Sequence, residues 1–164
     1  MASTITVDTI QGSTTAANVK LPPGSMLQHL RVSTQENTGT YTSTSFTHLS
    51  PFNLTITPKF ATSRLLIKAC MPVYVHTNAY PSAWFAFYRD GTIMAQHNNT
   101  YASGYSQVTT GGATAFTPYI EADVIAGNTN ATTFSIYIKS NTSGNTSAMN
   151  DICNRWLSIE EISI

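Results

Sequence analysis

The sequence has few charged residues, few cysteines and no long apolar run. Charged side chains make up 10% of its 164 residues, well below the ~25% of typical soluble domains. Eight basic residues balance eight acidic ones, so we expect neither nucleic acid nor an anionic membrane as a partner. No segment approaches the roughly 18 apolar residues of a membrane span. The first residues, MASTITVDTIQ, also lack the basic and apolar regions of a secretory signal.

Motifs that would support catalysis or metal binding are also missing. There is no GxSxG elbow, HExxH pair or phosphate-binding glycine loop. Glu160 and Glu161 are consecutive, and on a strand they would point to opposite faces, so they cannot flank one bond. The histidines fall in four separate segments, at His29, His48, His76 and His97. We therefore predict a protein that is not an enzyme and needs no cofactor or metal.

The two cysteines, Cys70 and Cys153, are too few for a disulfide scaffold and lack the spacing of a zinc knuckle. Two buried thiols are the favoured interpretation. A cross-strand disulfide is the alternative, and the spacing alone does not decide between them.

What the chain does have is uncharged polarity, with Ser and Thr forming about a quarter of it. Short β-favouring segments alternate with Pro, Gly, Asn and Ser clusters, which is typical of a β-sandwich or barrel. The predicted strands are Met26 to Val32, Ser43 to His48, Phe52 to Ile56, Arg64 to Val75, Ala83 to Arg89, Thr92 to Gln96, Ala115 to Ile125, Thr132 to Lys139 and Asn154 to Ile162.

Alternation within two of these segments predicts which side chains form the core. The predicted core sets are Leu65, Ile67, Ala69, Met71, Val73 and Val75 in one strand, and Phe134, Ile136 and Ile138 in the other. Asp90-Gly91 lies between two apolar runs and predicts a two-residue hairpin, because both residues tolerate positive φ.

The first 24 residues differ from the rest. Ile5, Val7 and Ile10 form a brief β-like series, and Pro22-Pro23-Gly24 closes the segment with a stiff elbow. We predict an extended arm over residues 1–24 and one folded domain over residues 25–164.

Several aromatic residues lie outside the predicted core series. Tyr74, Tyr119, Tyr137 and Trp156 are expected either to cap the edges of the sandwich or to form contacts between subunits. Tyr101 and Tyr105 lie in a polar segment from His97 to Gly112. That segment has the composition of a recognition loop, and a plain long connection is the alternative.

The order of certain segments resembles a family of tailed-bacteriophage virion proteins that carry a jelly roll like that of tumour necrosis factor. The resemblance rests on STITVDTIQ (residues 3–11), SRLLIKA (63–69), FAFYRDGTIM (85–94), TTFSIYIKSNTSG (132–144) and RWLSIEEI (155–162). Each stretch alone is an ordinary strand-and-turn pattern, and their succession is what distinguishes them.

This resemblance implies an all-β, two-sheet jelly roll that assembles as a homotrimer on the surface of a virion made in the bacterial cytoplasm. The expected role is a capsid decoration or cement protein or a short head fibre, bound to the major capsid protein or another virion protein. The alternative role is a tail-fibre module that recognises a host surface glycan or protein.

Within this interpretation, Tyr74, Tyr119 and Trp156 would form the trimer interface. The arm residues Ile5, Val7 and Ile10 would add a strand to a virion partner. Pairing of the arm with its own domain or with a neighbouring subunit is the alternative.

Overall fold

The computed structural model describes residues 21–35, 39–76, 83–94, 113–140, 146–149 and 154–164, and within these ranges it contains strands and no helix. In chain order the strands are β1 (Met26–Thr34), β2 (Gly39–Tyr41), β3 (Thr47–Ile56), β4 (Arg64–Cys70), β5 (Val73–His76), β6 (Ala83–Arg89), β7 (Thr92–Ile93), β8 (Ala113–Phe116), β9 (Tyr119–Ile125), β10 (Thr132–Ser140), β11 (Thr146–Met149) and β12 (Arg155–Ile162).

The strands form two antiparallel sheets in a jelly roll. The first sheet has the order β1-β12-β4-β9 and the second has the order β3-β10-β6-β7. A further ladder has the order β2-β11-β5-β8. Each of its strands is next in the chain to the strand at the same place in the first sheet: β2 to β1, β11 to β12, β5 to β4 and β8 to β9. It therefore continues the first sheet beyond a break. Among all these pairings only β6 and β7 are consecutive in the chain, as expected for strands that alternate between two sheets.

Prolines account for two of the breaks. Pro72 separates β4 from β5 and Pro118 separates β8 from β9, because proline has no N–H to give to the ladder. The backbone N–H of Met71 donates to the carbonyl of Pro118 at 2.9 Å and bridges the two breaks. The sequence predicted one continuous strand over Arg64 to Val75 and one over Ala115 to Ile125. Both predictions were wrong on this point, because each segment forms two strands.

A third proline is tolerated inside a strand. Pro51 lies within β3, which runs unbroken where the sequence predicted two strands. The β10–β3 register shifts between Ser135 and Tyr137, and such an irregularity accommodates a residue that cannot donate. The short strands β2 and β11 were not predicted.

The core lies between the two sheets and matches the predicted alternation. All nine predicted core residues, which lie in β4, β5 and β10 and at Met71 between β4 and β5, are at most 2% exposed. They pack with Leu49, Phe52, Phe85, Phe87, Leu157 and Ile159, which have no exposed surface. Burying each such large side chain contributes about 1.5–3 kcal/mol relative to leaving it in water.

The predicted hairpin at Asp90-Gly91 is confirmed. Arg89 pairs with Thr92, and Asp90 and Gly91 have φ values of 49° and 79°. The carboxylate of Asp90 accepts bonds from the Thr132 hydroxyl at 2.6 Å and the Thr133 backbone N–H at 2.8 Å. These two hydrogen bonds lower the pKa of Asp90, and the bond from the Thr132 hydroxyl has the larger effect. The turn is therefore tied to β10 as well as closed on itself.

The described chain enters the domain alongside β12. The N–H of Gly24 donates to the carbonyl of Ser163 at 2.8 Å, and the Ser163 hydroxyl donates to the carbonyl of Pro22 at 2.7 Å. The proline-glycine elbow is thus bonded to the domain. Most of the predicted arm, residues 1–20, lies outside the described residues.

Candidate functional site

The outer face of the first sheet has an aromatic centre, and we call this surface the first-sheet face. In-register neighbours share a face of a sheet. One such row crosses all four strands at Ser33, Trp156, Cys70 and Tyr119. The rings of Trp156 and Tyr119 meet edge to face, with centroids 6.1 Å apart, and the Arg31 guanidinium carbon lies 4.8 Å from the Trp156 ring centroid.

Ion pairs accompany this aromatic centre. Lys68 Nζ lies 2.8 Å from Glu160 Oε2, and this hydrogen bond raises the pKa of Lys68. Burial, and then the charge of Glu121, raise the pKa of Tyr119. At the far end of the face, Arg64 pairs with Asp123. The charges of these two ion pairs are neutralised within the subunit, so burying the face against another protein would not leave these four groups unpaired.

Apolar side chains remain exposed on the same face. A second cross-strand row contains Met26, Ile162, Arg64 and Ile125. Met26 is 54% exposed, Ile125 is 51% exposed and Tyr119 is 53% exposed. Together these are three of the five exposed large hydrophobic residues in the described ranges. Three exposed apolar side chains therefore lie on this one face.

The structure brings together two of the three aromatic residues predicted at an interface. Tyr119 and Trp156 are in contact, and each is partly covered by the other. These two rings therefore pack on each other within one subunit. Tyr74 is half-buried and lies beyond the Pro72 break, in register with Ala115 in β8.

Met26 and Ile125 were missed by the sequence reasoning. Ile125 belongs to the series Tyr119, Glu121, Asp123 and Ile125, which alternates with the inward series of β9. That alternation was a usable signal for its outward position. Met26 lies just before a register irregularity in β1, which sequence periodicity does not reveal.

Other predicted site residues fall outside the described ranges. These are Ile5, Val7 and Ile10 of the arm, Tyr101 and Tyr105 of the proposed recognition loop, and Cys153. Cys70 is half-buried on the first-sheet face, so the prediction that it is a buried residue holds only in part.

The two consecutive glutamates point to opposite faces, as predicted. Glu160 lies on the first-sheet face, and Glu161 is fully buried on the inner side. The Glu161 carboxylate accepts the Lys59 backbone N–H at 2.7 Å, the Phe60 backbone N–H at 3.4 Å and the side-chain amide of Gln28. It therefore joins β1, β12 and the connection between β3 and β4.

Within the described ranges no group of three or more His, Cys, Asp or Glu side chains is placed to hold a metal ion. The same ranges contain no helix long and apolar enough to cross a membrane.

Comparison with known proteins gives a structural similarity but no matching family. No family model matches the chain, and no curated protein matches it. Among solved structures, the chain is similar to a protein in the crystal structure of the T13 viral particle of IBDV, with 14% sequence identity and a TM-score of 0.49. The match covers 85% of this chain and 32% of that one, so this chain spans about a third of its neighbour's length.

Proposed function

We propose that this protein is a non-enzymatic structural component of a bacteriophage particle. Its role is that of a trimeric capsid decoration or cement protein, or of a short head fibre, attached through its N-terminal arm. The resemblance of its segments to phage virion proteins supports this role. The jelly-roll architecture agrees with that resemblance, although one fold serves many functions and does not choose among them.

The observation that carries the proposal is the first-sheet face. It combines the Trp156–Tyr119 pair with exposed Met26 and Ile125, and its Lys68 and Arg64 are paired with carboxylates of the same subunit. In a closed ring of three copies, such a face packs against a different surface of the next copy. Burial in the trimer would remove its exposed apolar area from water.

The position of the elbow supports attachment through the arm. Pro22 and Gly24 are hydrogen-bonded to Ser163 just beyond β12, so the described chain begins at that end of the first sheet. Leu21 and Ile164, which are 46% and 61% exposed, lie at the same end. An arm that adds a strand to a partner would bring these apolar residues next to the partner's surface.

Deletion of residues 2–20 tests the proposal. The truncated protein should keep its thermal midpoint and its trimer mass but should not incorporate into particles produced without the wild-type gene. If the truncated protein unfolds or dissociates, the arm belongs to the trimer and the attachment proposal is wrong.

Cryo-electron microscopy of particles carrying the full-length protein locates it. Density at the three-fold positions of the capsid supports a decoration protein. Density restricted to the tail contradicts the capsid role and favours a tail-fibre module.

A further inference from the structure

The outer face of the second sheet carries a different surface, in which aromatic rings surround one lysine. We call it the aromatic–lysine cluster, and its members are Phe46, His48, Trp84, Tyr88, Tyr137 and Lys139, all half-buried. Tyr137 and Lys139 point outward because Ile136 and Ile138 of the same strand point into the core. Trp84 and Tyr88 belong to β6, which pairs with β10. Side chains from β3 and the residue before it, from β10 and from β6, which lie side by side in the sheet, therefore form one surface.

Four rings of this cluster form a chain of contacts, from Phe46 through Tyr88 and Tyr137 to His48. Tyr88 and Tyr137 stack with centroids 3.7 Å apart and an angle of 19° between their planes. Phe46 meets Tyr88 edge-on at 6.1 Å, and His48 lies 5.1 Å from Tyr137. Burial, and then the proximity of Tyr137, raise the pKa of Tyr88, so its phenol is a neutral hydrogen-bond donor at pH 7. The result is a continuous surface of rings that includes two phenols.

Lys139 supplies the charge of this surface. Its Nζ lies 4.2 Å from the centroid of Trp84 and 4.7 Å from that of Phe46, between two rings. Such contacts hold an ammonium in place by cation–π attraction. Within the described part of the chain Lys139 forms no ion pair.

The described side-chain carboxylates lie elsewhere. Asp123 and Glu160 pair with Arg64 and Lys68 on the opposite sheet, and Glu121 lies on β9 of that same sheet beside Tyr119. Glu161 is buried, and Asp90 is bonded to β10 at the β6–β7 turn. The aromatic–lysine cluster is therefore a fixed positive charge set among rings, and it complements a ligand that carries an anion on a partly apolar body.

We propose that the aromatic–lysine cluster binds a saccharide that carries a carboxylate. A pyranose ring has a face of C–H groups that packs on aromatic rings, and its hydroxyls meet the phenol edges and the His48–Asn53 pair, whose Nε2 and Oδ1 lie 2.8 Å apart. The sugar carboxylate meets the Lys139 ammonium in a charge-assisted bond. This inference does not rest on the proposed role in the virion, because it concerns the opposite face of the sandwich.

Calorimetric titration at low ionic strength tests the inference with matched sugars. The probes are 3′-sialyllactose, lactose, which lacks only the acidic sugar, and trigalacturonate. We expect saturable binding of both acidic probes, with lactose at least about tenfold weaker, a difference of about 1.4 kcal/mol.

Two lysine variants make the test specific. Lys139→Met keeps the apolar stem over Trp84 and Phe46 but removes the ammonium, so its affinity for 3′-sialyllactose should fall to that for lactose. Lys59→Met, at an exposed lysine in the connection after β3, is the control and should bind like the wild type.

The inference is overturned if neither acidic probe binds at millimolar concentration, if lactose binds as tightly, or if Lys139→Met binds both acidic probes unchanged. Should Lys139→Met fail to fold, the salt dependence of the wild type decides. Affinity for 3′-sialyllactose must then weaken as sodium chloride screens the ammonium, and affinity that is independent of salt contradicts the proposal.

Discussion

Replacing Glu161 with Ala is expected to destabilise the fold more than any comparable change on the protein surface. The carboxylate has no exposed surface, and it accepts three donors: the backbone N–H groups of Lys59 and Phe60 and the side-chain amide of Gln28. Gln28 cannot turn away without loss, because its Nε2 also donates to the Thr57 carbonyl at 2.9 Å. The substitution leaves all three donors without their acceptor.

The magnitude follows from these contacts. Each part-buried donor that loses its acceptor is destabilising by roughly 1 kcal/mol, which gives about 3 kcal/mol for Glu161→Ala. Glu161→Gln keeps one acceptor oxygen but turns an amide group toward Gln28, so about half of that loss is expected. The control is Glu160→Ala, which removes only the partly exposed pair with Lys68 and should lower stability by about 0–1 kcal/mol.

Urea denaturation at equal protein concentration, followed by tryptophan fluorescence, measures these differences. Light scattering on each variant ensures that assemblies of the same mass are compared. A Glu161→Ala protein that loses no more stability than Glu160→Ala would show that the buried carboxylate does not hold these segments together.

Two further predictions concern the hairpin and the cysteines. Because the folded-state pKa of Asp90 is lowered, its stabilisation is present above its ordinary value of 3.8 and is lost as the pH falls through the lowered value. The thermal midpoints of the wild type and Asp90→Asn should therefore converge in acid, and a gap that stays constant down to pH 2 would contradict this. Changing Cys70 and Cys153 together to Ser should leave the protein folded, since the proposed phage role implies assembly in a reducing cytosol, where a fold should not depend on a disulfide. A loss of about 2–5 kcal/mol in the denaturation free energy would instead indicate a bridge.

The core could be predicted from the sequence because burial follows strict alternation. Leu65 to Val75 keep one face inward even across Pro72, where the ladder itself is interrupted. The hairpin could be predicted because two adjacent residues set its geometry locally. The ends of the strands could not be predicted in this way. Pro51 lies within a strand and Pro72 interrupts one, and the difference depends on the register of the partner strand.

The surface clusters could be predicted only in part, for a physical reason. Tyr119 and Trp156 are 37 residues apart, and only the β12-β4-β9 order places them on either side of Cys70. The aromatic–lysine cluster likewise needs β3, β10 and β6 side by side, which no local pattern states. Side chains that gain their neighbours from distant strands are found through topology and not through periodicity.

The oligomeric mass in solution tests the central claim most directly. Light scattering at micromolar concentration should give three times the 17.8 kDa of the chain for the wild type. Ile125→Glu, on the first-sheet face, should give a monomer, because a buried unpaired carboxylate opposes assembly. Thr92→Glu, an exposed position on β7 of the other sheet, should remain trimeric. A monomeric wild type, or an Ile125→Glu protein of unchanged trimer mass, would contradict assembly through the first-sheet face.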